Sequence, residues 1–483
     1  MGAHPTIWIS YLLWISRWID RITRLVSVTE LLPLVTDRFG VPLGGGAGLP
    51  ANDTYFQRRK PAAAFKHGIL SRYPVVFAAK TGAATAGQRV MFLDGYAGAG
   101  QYDDESPGSP LLFMEVAKSM GGRRAVTGVF VEADEVNYQH LAELLAEITP
   151  PDASYTTVHG ELGEHLHWIL RKAADAALFV FLDPFGTALD RPQLCHLLTT
   201  RPRWPPTEVL LHFSVSTVAR IGGIVRKAHR QRQQLTAAER KTVANVDRFL
   251  GGDWWQAAFR TTAEDHDEGT ATQAALDVAN RYCTEIGHQT GFTPVAIPVR
   301  PAPGRLPKYV LVLFTRHPHG LWHFTSTLGQ AGRDWMAAHD ADEVARLDAR
   351  DNKTGTEALF DLPRPPFDPT AYERTHRGAW IEELADNLAD LLHEHGTFRP
   401  AEHTLQIYGN LVGQAWEQHV RAAVKKLHAA GITHNTGKKI GKIDFWERPL
   451  DLIIPAQAKA PATEQAAPDR HADDYPTAWA DPA

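Results

Sequence analysis

The chain reads as an α/β protein built on an open, largely parallel sheet, and three stretches carry that expectation. Val90 to Leu93 form a continuous apolar run that passes straight into a glycine-rich turn, Asp94-Gly-Tyr-Ala-Gly-Ala-Gly100. A second wholly apolar run, Leu178 to Leu182, ends in Asp183, Pro184 and Phe185. Between the two, Leu111, Leu112, Met114, Val116 and Ala117 recur at helical spacing after Pro110. Strands that are apolar throughout are buried on both faces, as in the middle of a parallel sheet, and a helical period between them supplies the crossover that parallel pairing needs.

Taken in chain order, residues 1–50 come first. Ile7 to Ser16 are apolar, but Arg17 ends the run well short of the roughly 20 residues that span a bilayer. The basic start and small-residue cleavage site of a secretory signal are missing. An amphipathic helix from Trp8 to Val28, carrying Arg17, Arg21 and Arg24, suits a membrane surface or a partner, and sequence read from an upstream start codon is the alternative. Gly40 to Pro50 reads as a linker. Gln57-Arg-Arg-Lys60 and Lys66-His-Gly then lead into the sheet domain, as a phosphate contact or as a solvated helix start.

Asp94 sits at the carboxyl end of the first strand, where an open α/β sheet places its ligands. Gly95, Gly98 and Gly100 remove the Cβ atoms that would hold the backbone away from a nucleoside cofactor. The second strand, Thr127 to Glu132, ends in a carboxylate able to accept both ribose hydroxyl hydrogens. The third, Tyr155 to His159, leads to Glu161, within reach of an adenine edge. Both acids are also placed to cap the helices that follow. The fourth strand ends at Asp183. Glu208 to Ser214 make a fifth, and Val295 to Val299 with Tyr309 to Phe314 the last two.

In this order, Asp94-Gly-Tyr-Ala-Gly-Ala-Gly, Gly108-Ser-Pro, Val131-Glu-Ala-Asp, Leu182-Asp-Pro-Phe-Gly and Phe314-Thr-Arg-His-Pro-His-Gly resemble the motif series of the three-Cys-motif partner family (TcmP), over roughly residues 60 to 330. The resemblance implies the Rossmann-like fold of class I S-adenosylmethionine (SAM)-dependent methyltransferases. It puts Asp94, Gly98 and Gly100 around the methionine part of SAM, with Gly95 and Ala97 also in the cofactor-binding turn, Glu132 on the ribose and Glu161 near the adenine. It puts Asp183, Pro184 and Phe185 where amino-methyltransferases keep an Asp-Pro-Pro-aromatic loop, from which this chain departs by having one proline and then Phe-Gly. The family name records association with a three-cysteine-motif protein, which makes such a protein a possible partner.

The chemistry of that loop follows from the residues. An exocyclic base amine is a poor nucleophile because its lone pair is delocalised into the ring. A carboxylate at Asp183 accepting its N–H, helped by the Pro184 carbonyl, would draw the nitrogen towards tetrahedral geometry, and Phe185 would stack on the ring. A target inside a duplex must first be flipped out. The other account is that Asp183 caps a helix and Phe185 is core.

A chain of 483 residues, 44% hydrophobic and 22% charged, suits two or three soluble domains. Two cysteines, Cys195 and Cys283, exclude a disulfide framework and fit a reducing cytoplasm. The histidines are scattered, and no metal site is assigned. Residues 219–290 turn to helical spacing with the basic run Arg226 to Arg232, an insertion able to form a substrate lid or a solvated face. Residues 336–372 read as a linker after a domain of residues 51–335. Residues 373–450 suggest a winged helix-turn-helix: helices at Trp380 to Glu394 and Ala415 to Ala430, then a short hairpin from Gly431 to Trp446. Between residues 421 and 448, Arg421, Lys425, Lys426, Lys438, Lys439, Lys442 and Arg448 face only Asp444 and Glu447, in a chain of net charge −5. This concentrates positive charge where nucleic acid, DNA in preference to RNA, would dock, with a protein partner as the alternative. Residues 451–483 read as a disordered tail. The combined expectation is a methyltransferase acting on a nucleic-acid base amine, or a non-catalytic partner protein that keeps the same fold.

Overall fold

The computed structural model describes residues 60–102, 106–149, 154–184, 186–260, 268–354 and 366–453. Seven strands, β1 Arg89–Asp94, β2 Ala125–Glu132, β3 Ser154–His159, β4 Ala177–Leu182, β5 Thr207–Phe213, β6 Thr293–Val299 and β7 Tyr309–Thr315, form one sheet in the order β3-β2-β1-β4-β5-β7-β6. β1 to β5 are parallel, and β7 runs antiparallel to both β5 and β6.

The apolar strands alternate between two faces, as a period of two dictates. Met91, Leu93, Leu178, Val180 and Leu182 pack on one face, against α5 Leu162–Lys172 and α6 Arg191–Thr200. Val90, Phe92, Ala177, Phe179 and Phe181 pack on the other. There they meet α1 Pro61–Leu70, α2 Tyr73–Thr81 and α3 Ser109–Met120. Phe92 stacks on Phe113 at 5.2 Å, and Phe179 sits edge-on to both. Each such side chain contributes about 1.5–3 kcal/mol on burial, so the sheet is the stable platform of the molecule. α4 Glu135–Ile148 covers the β2–β3 side and is capped by the Asp134 side chain accepting from Asn137 N.

Between β5 and β6 come α7 Val215–Gln231, α8 Ala237–Leu250, α9 Gln256–Arg260 and α10 Glu268–Thr290. The sequence admits a lid here, but Val218, Val225, Val246, Phe249, Trp255 and Phe259 join the core of one sheet face. The basic run Arg226 to Arg232 lies in the last turns of α7, more than about 15 Å along the helix from its start. Cations there complement the helix dipole.

α11, Pro318–Thr354, differs from the expected linker: it continues without a break through residues 336–354. Residues 345–350 of its distal half are exposed and carry no apolar stripe, and composition alone reads such a segment as a connection. Arg346 and Asp342 pair across one turn at 3.0 Å. α12 Pro369–His395, β8 Thr397–Phe398, α13 Thr404–Tyr408, α14 Glu417–Ala429 and β9 Leu450–Asp451 follow, with β8 pairing antiparallel to β9. The expected hairpin is reduced to isolated bridges, Ile440 with Ile443 and Thr433 with Leu452. The core of this carboxyl-terminal unit is completed by Trp322 of α11, stacked 5.6 Å from Trp446. Residues 1–50, Phe185 and the tail beyond Ile453 lie outside the described residues. No described helix is long and apolar enough to cross a membrane.

Candidate active site

The strand order reverses between β1 and β4, and the crevice at their carboxyl ends is where doubly wound sheets bind ligands. Asp94 closes β1, in register with Phe181 of β4, and Asp183 follows the end of β4, so two carboxylates flank this point.

Asp94 is wholly buried. Its Oδ1 accepts from Tyr96 N at 3.1 Å, and its Oδ2 has no hydrogen-bond partner among the described residues. Burial pushes its carboxyl up to about 7, against the pull of the Ser109 hydroxyl and the Tyr96 amide.

The three glycines of the turn have separate reasons. A Cβ at Gly95 would meet Leu182 at 2.7 Å, and one at Gly100 would meet Leu141 at 2.9 Å, so these two serve packing. Gly98 has φ +62°, and a Cβ there would project into open space. It is the position of the turn that an outside group could approach. Ala97 is buried and ties the turn to β2 through its N–H, which donates to Val131 O at 2.9 Å.

Glu132, half-buried at the end of β2, accepts from Gly98 N at 2.7 Å and from Asp134 N at 2.8 Å. It therefore locks the glycine turn to the second strand, and each oxygen keeps a lone pair. Glu161 is exposed and begins α5, where its N–H donates to Glu164 Oε2 at 3.3 Å in a capping box. The capping account thus applies to Glu161. Its charge, after burial, also helps push the Tyr96 hydroxyl upward, which places that ring near it.

Asp183 is the centre of a charged cluster that the strand pattern does not announce. Lys66 Nζ of α1 donates to its Oδ2 at 2.6 Å, and Nδ1 of His212, on β5, lies 3.1 Å from Oδ1 without hydrogen-bond alignment. Burial works against its charge, but Lys66 and then His212 more than offset it and hold the carboxyl below the usual range. Lys66 is buried too, yet its pairing with Asp183 keeps it firmly protonated. Burial pulls the His212 imidazole below its ordinary value, against the opposing pull of Asp183. The His212 ring packs 4.3 Å from that of Tyr309, whose hydroxyl donates to Ala62 O. Pro184 is buried beside the cluster. In the sequence, Lys66 stands out only as one of several early cations, and His212 only as a polar residue in a largely apolar strand.

The cations proposed for nucleic acid are divided. Arg421 donates to Glu417 Oε1 at 2.8 Å and lies over the Phe445 ring; Lys426 pairs with Glu382, and Lys439 with Asp444 at 3.4 Å. Lys425, Lys438 and Lys442 are exposed. Ion pairs within the unit consume part of the charge counted from sequence. No family model matches this chain, and no curated protein matches it.

Proposed function

We propose that the chain is a SAM-dependent methyltransferase acting on a nucleic acid, with a base amino group in DNA as the favoured acceptor. The observation that carries this reading is the pair Asp94 and Asp183 at the switch point, with Gly98 opening on free space and the Glu132 carboxylate beside it. The strand order, with only β7 reversed, is the arrangement of class I methyltransferases and supports the same reading.

The residues fit such a cofactor. Asp94 offers a buried carboxylate to a cationic amino group, and Glu132 keeps lone pairs for two hydroxyls. SAM held there would supply an electrophilic methyl group on a sulfonium for the acceptor nitrogen, whose proton would pass to solvent. The chain's own task is alignment. Lys66 keeps Asp183 ionised, hence an acceptor for an amine N–H across the neutral range. The carboxyl-terminal unit, with three helices followed by a short basic turn, would deliver the strand as a winged helix does, through Lys425, Lys438 and Lys442.

A second reading, a non-catalytic partner of a three-cysteine-motif protein, draws support from the Asp183 ion pair, since a carboxylate clamped by Lys66 is also a structural tie. Calorimetric titration of SAM into the protein and into Gly98→Asp, followed by transfer of labelled methyl to duplex DNA by the wild type and Asp183→Ala, separates the two. Micromolar SAM binding lost in Gly98→Asp, with transfer lost in Asp183→Ala while SAM binding survives, is the expected result. Absence of SAM binding by the wild type sinks the enzyme reading.

A further inference from the structure

The connection between β6 and β7, residues 300–308, reads Arg-Pro-Ala-Pro-Gly-Arg-Leu-Pro-Lys: cations and no acid, in a chain of net charge −5. β6 runs in the same direction as β5, and β7 runs back, so this connection rises at the carboxyl ends of the strands, on the side of Asp94 and Asp183. Contacts join it to the site. Asp183 lies beside His212, the His212 ring packs on Tyr309, and Tyr309 follows Lys308. The carbonyl of Lys308 accepts from Ser216 N at 3.0 Å, in the first turn of α7.

The connection is also held in shape. Lys308 N donates to Val299 O at 3.0 Å, Arg305 N to Ala302 O at 3.2 Å, and Trp335 Nε1 to Arg300 O at 2.8 Å. The Arg300 guanidinium donates to the Arg305 carbonyl. Arg305 and Lys308 are exposed, and Leu306 between them is 40% exposed. A backbone fixed in advance presents its cations to an anion at little cost in chain freedom, and an apolar side chain between them suits a surface with both charge and flat rings.

We propose that residues 300–308 form the lip of the site that receives the phosphate backbone of the substrate strand, with Arg305 and Lys308 as the phosphate contacts and Leu306 against sugar and base. This rests on the nucleic-acid reading above and adds a grip built into the sheet domain itself, separate from the carboxyl-terminal unit. It also supplies the local positive surface that an acidic chain needs in order to hold a polyanion.

The test uses the full chain and a fluorescent duplex DNA of about 30 base pairs, with single-stranded RNA of equal length, titrated at low and moderate salt. The pair Arg305→Gln/Lys308→Gln is expected to weaken binding about tenfold at low salt and to reduce the salt slope by about 1.8, the loss of two phosphate contacts. Arg305→Glu/Lys308→Glu should weaken it further, and both should melt with the wild type because the side chains are exposed. Unchanged affinity and slope in both variants, with binding lost instead in Lys425→Gln/Lys438→Gln/Lys442→Gln, overturns the lip and leaves the nucleic-acid reading standing. A wild type that binds neither DNA nor RNA overturns both.

Discussion

At the scale of single residues, the two carboxylates at the switch point carry opposite electrostatics. Burial raises Asp94 to about 7, while Lys66 and His212 overcome burial at Asp183 and lower it. For Asp94 the folded value lies above the unfolded value near 4, so the fold retains a proton that the unfolded chain releases, and stability is lost as pH rises from about 4 to about 7. Asp94→Asn removes that loss. Its melting temperature should exceed the wild type's above pH 7, by on the order of 1–3 kcal/mol in stability, and vary less between pH 5 and 8. The wild type's affinity for the SAM cation should rise from pH 6 to 8 as Asp94 ionises, and that rise should vanish in the variant; a wild-type affinity flat across this range would separate Asp94 from the cofactor. For Asp183 the sign is reversed: its stabilisation is present above about pH 4 and is lost as pH falls through the lowered folded value. Lys66 and Asp183 are 17% and 25% exposed. Lys66→Met, which strands a mostly buried carboxylate, should cost about 2–4 kcal/mol at pH 7. A double-mutant cycle with Asp183→Asn should return a coupling of about 1–3 kcal/mol, and additivity would show that the pair is not linked.

At the scale of elements, legibility followed burial. β1, β2, β4, β5 and β7 are apolar over most of their length, so strand ends and the acids there could be read directly, and Asp94, Glu132 and Asp183 occupy the strand ends that the pattern implies. The Lys66–Asp183 pair spans 117 positions, and no local pattern encodes a contact of that range. The extension of α11 was hidden for the opposite reason: a helix with little core to face has no apolar stripe to reveal it. Its glycines show a further limit. Gly329 and Gly332 lie inside the helix, where alanine is usually better by about 1 kcal/mol. Here a Cβ on Gly332 would stand 1.9 Å from the Gly413 carbonyl oxygen, and one on Gly329 2.1 Å from that of Ala415. Gly332→Ala should therefore reverse the rule and destabilise by about 2–3 kcal/mol, because backbone cannot yield as a side-chain tip can. Gly378→Ala, in α12 with nothing within 4 Å of the new atom, should instead stabilise by about 0.5–1 kcal/mol. Denaturant melts of the two variants provide the comparison, and equal signs would deny the close approach of α11 to the 412–416 segment.

At the scale of the molecule, the carboxyl-terminal unit is fused to the sheet domain through α11. Trp322, wholly buried, stacks on Trp446, lies edge-on to Tyr408 and Phe445, and donates through Nε1 to Glu417 Oε2 at 3.2 Å. Five and six residues further from the amino end of the same helix, Thr327 and Leu328 are buried, and Leu328 belongs to the core under the sheet. One helix thus contributes to both cores, and the unit is held in a fixed orientation to Asp94 and Asp183. A swinging module on a flexible linker would need a small polar interface, whereas this one is sealed by aromatic packing and by backbone contact at Gly329 and Gly332. The consequence is cooperative unfolding. Scanning calorimetry of the full chain should give a single transition, and Trp322→Ala should lower it as a whole, by about 3–5 kcal/mol, because the cavity opens where the two units share one helix. Removal of residues 366–453 would expose Trp322 and should yield an aggregating protein. Two separate transitions, with only the smaller one moved by Trp322→Ala, would mean that the units fold independently, and a fixed delivery geometry would then have to be abandoned.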